Sequence, residues 1–185
     1  MLVIVLLVLA DRQGWLLDDG GDLKVYDGQG FVVTHVVDGD TLDVGQPDRR
    51  AEQPRATTRV RLWGIDTPEL ARPSEGRPAD PYADDARRFA QVKAEGQRVT
   101  LRLQPHRTRD NYGRLLAYVE LPDGTTLNEL LVVEGLARAD GRWSHRDDQR
   151  YELLERQARN DRRGLWAKPG RTEAESDELP EAVTR

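Results

Sequence analysis

The order of apolar and polar runs predicts an α+β fold, mainly a small closed β barrel of five strands packed by three helices. Three observations carry this. Five stretches are apolar or alternate with a period of two, as half-buried strands do. Three others repeat apolar residues at helical spacing, after the third strand, after the fifth, and near the end. Turns rich in glycine or proline separate them. Barrels of this size bind oligonucleotides across one face.

Phe31–Val37 is strand-like, and Asp38-Gly39 is a hairpin-type turn into a second strand running through Val44. Gly45–Thr58 is polar and proline-containing, hence a loop. In Arg59–Ile65 a period of two sets Val60, Leu62 and Gly64 on one face and Arg61, Trp63 and Ile65 on the other. Residues 66–81 carry prolines at 68, 73, 78 and 81 and must be largely irregular. Tyr82, Ala86, Phe89, Ala90 and Lys93 predict a first helix over 82–95, ending near Gly96.

Val99, Leu101 and Leu103 alternate with Thr100, Arg102 and Gln104 as a fourth strand. Leu115, Ala117, Val119 and Leu121 repeat the pattern after the Tyr112-Gly113 turn. Thr126-x-x-Glu129 has capping-box form and opens a second helix to about Gly135. A third helix near 147–162 buries Tyr151, Leu154 and Ala158 and stops before Gly164.

The chain divides into an apolar run (1–10), an acidic linker (11–30), the barrel domain (31–170) and an acidic tail (171–185) expected to be disordered. Residues 11–30 and 171–185 each hold five acids against two bases, so the formal charge of −5 leaves the central domain close to neutral and rich in arginine. A strong field gripping DNA along its length is not expected; a local cationic site is. The absence of cysteine excludes disulfides, thiolate metal sites and cysteine nucleophiles. Met1–Ala10 is ten uncharged apolar residues, shorter than the roughly 20 a bilayer span takes. It reads as a targeting or anchor remnant, with an extracytoplasmic protein as the consequence, or as a buried strand.

Three polar segments sit at the ends of strand-like runs: Asp38-Gly39-Asp40-Thr41, Arg61 through Glu69, and Asp110-Asn-Tyr-Gly-Arg114. Carboxylates can hold a hard divalent cation, and arginine forks match a phosphate on which charge is building. Two aspartates (Asp40, Asp66), the Thr67 carbonyl and waters would make an open calcium site. Taken singly, the same aspartates could shape turns and Arg61 and Arg114 could be solvated strand residues. His35, His106 and His145 are scattered and read as structural or surface residues.

Together these segments resemble the staphylococcal nuclease-like (thermonuclease) family. The resemblance runs from about Phe31 to Trp166 through Val36-Val-Asp-Gly-Asp-Thr41, Arg61–Glu69, Tyr82-Ala-Asp-Asp-Ala86, Asp110–Arg114, Asn128-Glu129, Gly135-Leu-Ala137 and Arg163-Gly-Leu-Trp166. It implies an OB-fold barrel with three helices, and calcium-dependent cleavage of DNA and RNA that leaves 3′-phosphates. By position it implies Asp40, Asp66 and the Thr67 carbonyl as metal ligands. Glu69 would position or activate the attacking water, Arg61 and Arg114 would grip the phosphate, and Tyr112 would contact the nucleotide. After Gly135-Leu-Ala137 the family often has a tyrosine-rich stretch, where this chain reads Arg138-Ala-Asp-Gly-Arg-Trp143-Ser-His145. Trp143 there is either a stacking surface for a base or core packing.

The rival expectation is a non-catalytic OB-type module that binds nucleic acid or protein, similar to the degenerate repeats of Tudor staphylococcal nuclease proteins. Such a module has no need of both aspartates, the glutamate and both arginines, and this chain keeps all five. A monomer acting on DNA and RNA is expected, with no obligate protein partner evident.

Overall fold

The computed structural model describes residues 21–51 and 55–167. Among the described residues there are seven strands: β1 (Gly30–Asp38), β2 (Thr41–Val44), β3 (Thr58–Leu62), β4 (Ile65–Asp66), β5 (Arg98–Arg102), β6 (Leu115–Glu120) and β7 (Arg138–Ala139). The helices are α1 (Gly21–Tyr26), α2 (Ala83–Ala94), α3 (Leu127–Val133) and α4 (Asp148–Asn160). Five strands close a barrel in the order β1-β2-β3-β6-β5, while β4 and β7 form a separate two-stranded ribbon. β3 and β6 run parallel and the other barrel pairs antiparallel. The register sets Arg61 of β3 between Thr41 of β2 and Leu116 of β6, so one stretch of barrel wall gathers three of the polar segments' neighbours.

The alternation of apolar residues makes the core. Val33, Val36, Leu42, Val44, Val60, Leu62, Val99 and Leu101 are all buried inside the barrel. Each such side chain contributes about 1.5–3 kcal/mol when fully removed from water. α2 presents Ala86, Ala90 and Ala94, whose small side chains let the helix lie close on β1. Asn128 of α3 is fully buried; its Oδ1 accepts from the Val119 amide (3.0 Å) and its Nδ2 donates to the Trp63 carbonyl (2.9 Å). α3 therefore fixes the turn that leads into β4.

Four expectations need correction. Residues 21–30 are not linker: α1 packs Tyr26 into the core, and the buried Asp22 binds arginines from two loops. This adds a fourth helix among the described residues. Arg59–Ile65 is not one strand, because it breaks at Trp63-Gly64. Gly64 has φ +75°, and a Cβ there would sit 2.3 Å from the His145 ring. The break turns Ile65 inward with Val60 and Leu62. Thr126 is the N-cap of α3, but its side chain makes no cap hydrogen bond. Glu129 instead pairs with Arg150 of α4, through Nε and through Nη2 at 2.8 Å. The N-terminal apolar run, residues 11–20 of the expected linker and the acidic tail lie outside the described residues.

Candidate active site

The site begins at the β1–β2 turn. A Cβ on Gly39 would meet Ala86 Cβ and Thr67 Cγ2, both at 2.8 Å, so only glycine lets the turn close against α2 and Thr67. That approach places Asp40 beside Thr67, whose amide and hydroxyl both donate to Asp40 Oδ2 at 2.9 Å. The Thr41 hydroxyl donates to Oδ1 at 3.1 Å. A buried carboxylate is thus held by its neighbours with one lone pair of Oδ1 left over.

Arg61 is the hub. Its Nη1 donates to the Leu62 and Ile65 carbonyls (2.9 and 2.7 Å) and lies 3.1 Å from Asp40 Oδ2. Its Nη2 donates to Asp66 Oδ1 at 2.8 Å. One guanidinium therefore holds the β3–β4 break and joins both aspartates. Arg114 is clamped by Asp110, which accepts from the Arg114 amide (2.9 Å) and from its Nε (2.6 Å). The same carboxylate takes the Tyr112 amide at 2.9 Å. Arg114 Nη1 reaches the Thr41 hydroxyl at 3.4 Å, bridging this turn to β2.

A cavity of about 860 Å³ opens above these residues. Asp40, Arg61, Asp66, Glu69, Tyr112, Arg114 and Trp143 all line it. Thr67 does not; it stands behind Asp40 as a donor. Glu69 is half exposed and already accepts from Arg72 Nη2 at 2.7 Å. Tyr112 is 86% and Trp143 52% exposed, so Trp143 is no part of the core. The Arg107 guanidinium covers one face of Trp143 at 3.6 Å from the ring centroid.

Asp38, Arg72, Arg107, Asp110, Asp140 and Arg142 also line the cavity, and sequence reasoning did not single them out as site residues. Most stand in irregular loops where no periodicity fixes a direction. The one available signal was an aspartate shortly before an arginine, at 110/114 and again, at a shorter spacing, at 140/142.

The walls carry six carboxylates (Asp38, Asp40, Asp66, Glu69, Asp110, Asp140) against five guanidiniums (Arg61, Arg72, Arg107, Arg114, Arg142). The excess negative charge leaves a mark. Burial and the neighbouring Asp40 charge push the Asp38 carboxyl up to about 6. Burial also raises the Asp66 carboxyl, opposed by Arg61 and reinforced by Asp40. A divalent cation would relieve this repulsion and turn the cavity net positive, as a phosphodiester requires. Among the described residues, no three His, Cys, Asp or Glu side chains form a ready cage. The donors instead fit an open oxygen site, with two aspartates at one edge and carbonyl, water or substrate oxygens completing the shell.

A closed barrel whose wall joins carboxylates and arginines in one cavity has the parts that chemistry on phosphate esters uses. The chain belongs to the staphylococcal nuclease homologue family, whose model matches residues 59–168. It is 37% identical over 134 residues to the thermonuclease of Staphylococcus intermedius, covering 72% of this chain and 71% of that protein. It is 34% identical over 155 residues to the micrococcal nuclease of Shigella flexneri, covering 76% and 75%. With endonuclease YncB of Bacillus subtilis it shares 33% over 141 residues, 72% of this chain but 60% of that protein. The enzyme class that this membership carries is the phosphodiester-hydrolysing endonuclease.

Proposed function

We propose that the protein is a calcium-dependent, sugar-non-specific endonuclease that cleaves DNA and RNA and leaves 3′-phosphates. The observation that carries this reading is the shared cavity. Asp40, Arg61, Asp66, Glu69 and Arg114, drawn from three separate stretches of chain, face one volume large enough for a nucleotide.

Asp40 and Asp66, which line the cavity, would hold the cation; the Thr67 carbonyl, which the resemblance also implies as a ligand, belongs to a residue that stands behind Asp40. A bound divalent cation supplies charge stabilisation at a non-bridging phosphate oxygen. The remaining work falls to the protein. Arg61 and Arg114 are fixed by carboxylates and carbonyls before substrate arrives, so they can oppose the charge that grows on phosphorus without reorganising. Glu69 faces the same cavity, where its carboxylate orients a water, or takes its proton, as the water attacks in line with the departing 5′ oxygen. Tyr112 and Trp143 are exposed aromatic faces suited to stacking with bases of either sugar. The uncharged apolar N-terminal run supports a place outside the cytoplasm, secreted or anchored.

The test is incubation of plasmid DNA and ribosomal RNA with purified protein in calcium, in magnesium, and in calcium with excess chelator. Cleavage of both polymers in calcium, lost on chelation, is expected. Product ends should accept a 5′ label directly and accept extension at 3′ only after phosphatase treatment. Undiminished cleavage in chelator would remove the cation from the reading. Tight binding with no cleavage would favour the non-catalytic module.

A further inference from the structure

Arg142 repeats, on another wall of the cavity, the construction that holds Arg114. In both cases an aspartate a few residues upstream accepts the arginine's own amide and its Nε. Asp110 does so at 2.9 and 2.6 Å, and Asp140 at 3.1 and 2.7 Å. Asp140 adds a second fork bond, from Arg142 Nη2 to Oδ2 at 2.8 Å. The Asp140 amide in turn donates to the Gly64 carbonyl at 2.9 Å, so the clamp is tied to the break between β3 and β4. Burial works against the Asp140 charge, but the bonds from Arg142 outweigh it and hold its carboxyl below the ordinary range.

The two arginines also share surroundings. Each has an exposed aromatic beside it in the sequence or over its guanidinium: Tyr112 with Arg114, Trp143 after Arg142. Arg142 Nη2 reaches Asp66 Oδ1 at 3.4 Å, the same oxygen that Arg61 engages. The fork therefore borders the place where Arg61 and Arg114 converge, without being buried in it; its side chain is 65% exposed. A surface ion pair at that exposure contributes little to stability. Its effect is orientation. It holds the guanidinium in place at the cavity wall, with Nε and Nη2 on Asp140 and Nη1 bonded to neither Asp140 nor Asp66.

From this geometry we infer that Arg142, positioned by Asp140, is a third phosphate-binding arginine, and that it takes the phosphate next to the one being cleaved. The inference rests on the nuclease reading above. A single strand alternates base and phosphate, and the Arg142-Trp143 pair offers one held cation and one stacking face in sequence. Tyr112 and Arg114 offer the same two for the neighbouring nucleotide. The consequence is a preference for polymers over substrates with a single phosphate. In the latter, Arg142 has nothing to hold.

The experiment compares kcat/KM for a single-stranded oligonucleotide and for a dinucleoside monophosphate, in calcium. In Arg142→Ala the preference for the longer substrate is expected to fall about tenfold, through KM, as the loss of one charge-assisted contact implies. The slope of log(kcat/KM) against log salt for the oligonucleotide should become shallower by about 0.7, the share of one phosphate contact on a single strand. Arg142→Lys, which keeps the charge but not the fork, should recover part of both, and Asp140→Asn should mimic the alanine variant in part. Arg61→Ala should lower turnover of both substrates alike. If Arg142 only closes its loop, the alanine variant lowers melting temperature or acts equally on both substrates, and the inference fails. An unchanged length preference in Arg142→Ala, and in Arg142→Lys should the first not fold, overturns it while the nuclease reading stands. Wild-type protein that cleaves neither substrate overturns both.

Discussion

Arg61 shows how one side chain serves fold and site at once. It is 8% exposed and spends Nη1 on two carbonyls at the strand break while bridging Asp40 and Asp66. Arg61→Ala should therefore lower kcat by about 10²–10³, the loss of one transition-state donor, and should also lower the unfolding midpoint in urea. Glu69→Gln separates the two effects. Glu69 is half exposed and its partner is the surface Arg72, so the midpoint should barely move while turnover falls. A Glu69→Gln enzyme with wild-type kcat would remove that residue from the chemistry. His145 makes one contribution to the pH dependence of the fold, opposite in sign to that of the raised Asp38 carboxyl. Its ring packs against Gly64, Tyr118 and Tyr151, accepts the Asp147 amide at Nδ1 (3.3 Å), and sets Nε2 2.8 Å from Asp148. Burial lowers its pKa, against the pull of Asp148, Asp147 and Asp140. The unfolded chain then binds the proton more readily than the native one, so this contribution is whole above about 6.5 and is lost as pH falls below it. The urea midpoint should drop more between pH 7 and pH 5 in wild type than in His145→Gln. Equal slopes would show that the ring does not titrate across folding.

At the scale of elements, α1 is a strap rather than a spacer. Asp22, 2% exposed at its side chain, accepts from Arg50 Nη1 (2.6 Å), the Thr108 hydroxyl (2.9 Å) and Arg109 Nε (2.8 Å). Arg109 binds Asp48 as well and reaches the Gly113 carbonyl at 2.9 Å, inside the turn that bears Tyr112 and Arg114. Removing one partner from a buried network leaves the others uncompensated, so Asp22→Ala should destabilise by about 3–5 kcal/mol in denaturant titrations. A loss below about 1 kcal/mol, the worth of an exposed pair, would show that water replaces the carboxylate. The same network explains what the sequence could and could not reveal. The five barrel strands and α2, α3 and α4 were legible because a period of two or of helical spacing runs through each. Asp40, Arg61, Asp66 and Arg114 could be gathered as candidates because they stand in or at the ends of strand-like runs, whereas Glu69, in the proline-rich stretch beyond, was reached through the family resemblance. α1 was not, since six residues between glycines carry no periodicity and its burial depends on arginines 28 and 87 positions away. The break at Gly64 was hidden for a related reason, because the side chain that demands it is His145, on the approach to α4. Arg107, Asp140 and Arg142 lie in loops whose course is set by ion pairs across the fold, which local pattern does not encode.

For the molecule as a whole, charge placement matters more than charge count. The formal −5 would repel nucleic acid, yet the acidic ends account for it and the barrel domain is close to neutral. Within the cavity the balance is again slightly negative, and it is there that a cation would change the sign. The cost of keeping Asp38, Asp40 and Asp66 together is borne by the folded state alone, because the unfolded chain holds them apart. A divalent ion that binds the folded site must therefore stabilise the protein, by about 2.7 kcal/mol at a hundred times its Kd. For a domain of this size that corresponds to a rise of roughly 5–10 °C in Tm. Thermal unfolding followed across a calcium titration should show a saturable rise that chelator reverses. Asp40→Asn and Asp66→Asn should each abolish most of the rise. Their Tm without calcium should not fall as much as removal of a simple ion pair would imply, because each substitution also relieves repulsion among the remaining carboxylates. A Tm indifferent to calcium in the wild type would show that the carboxylates are balanced by arginine alone, and the cation would lose its place in the site.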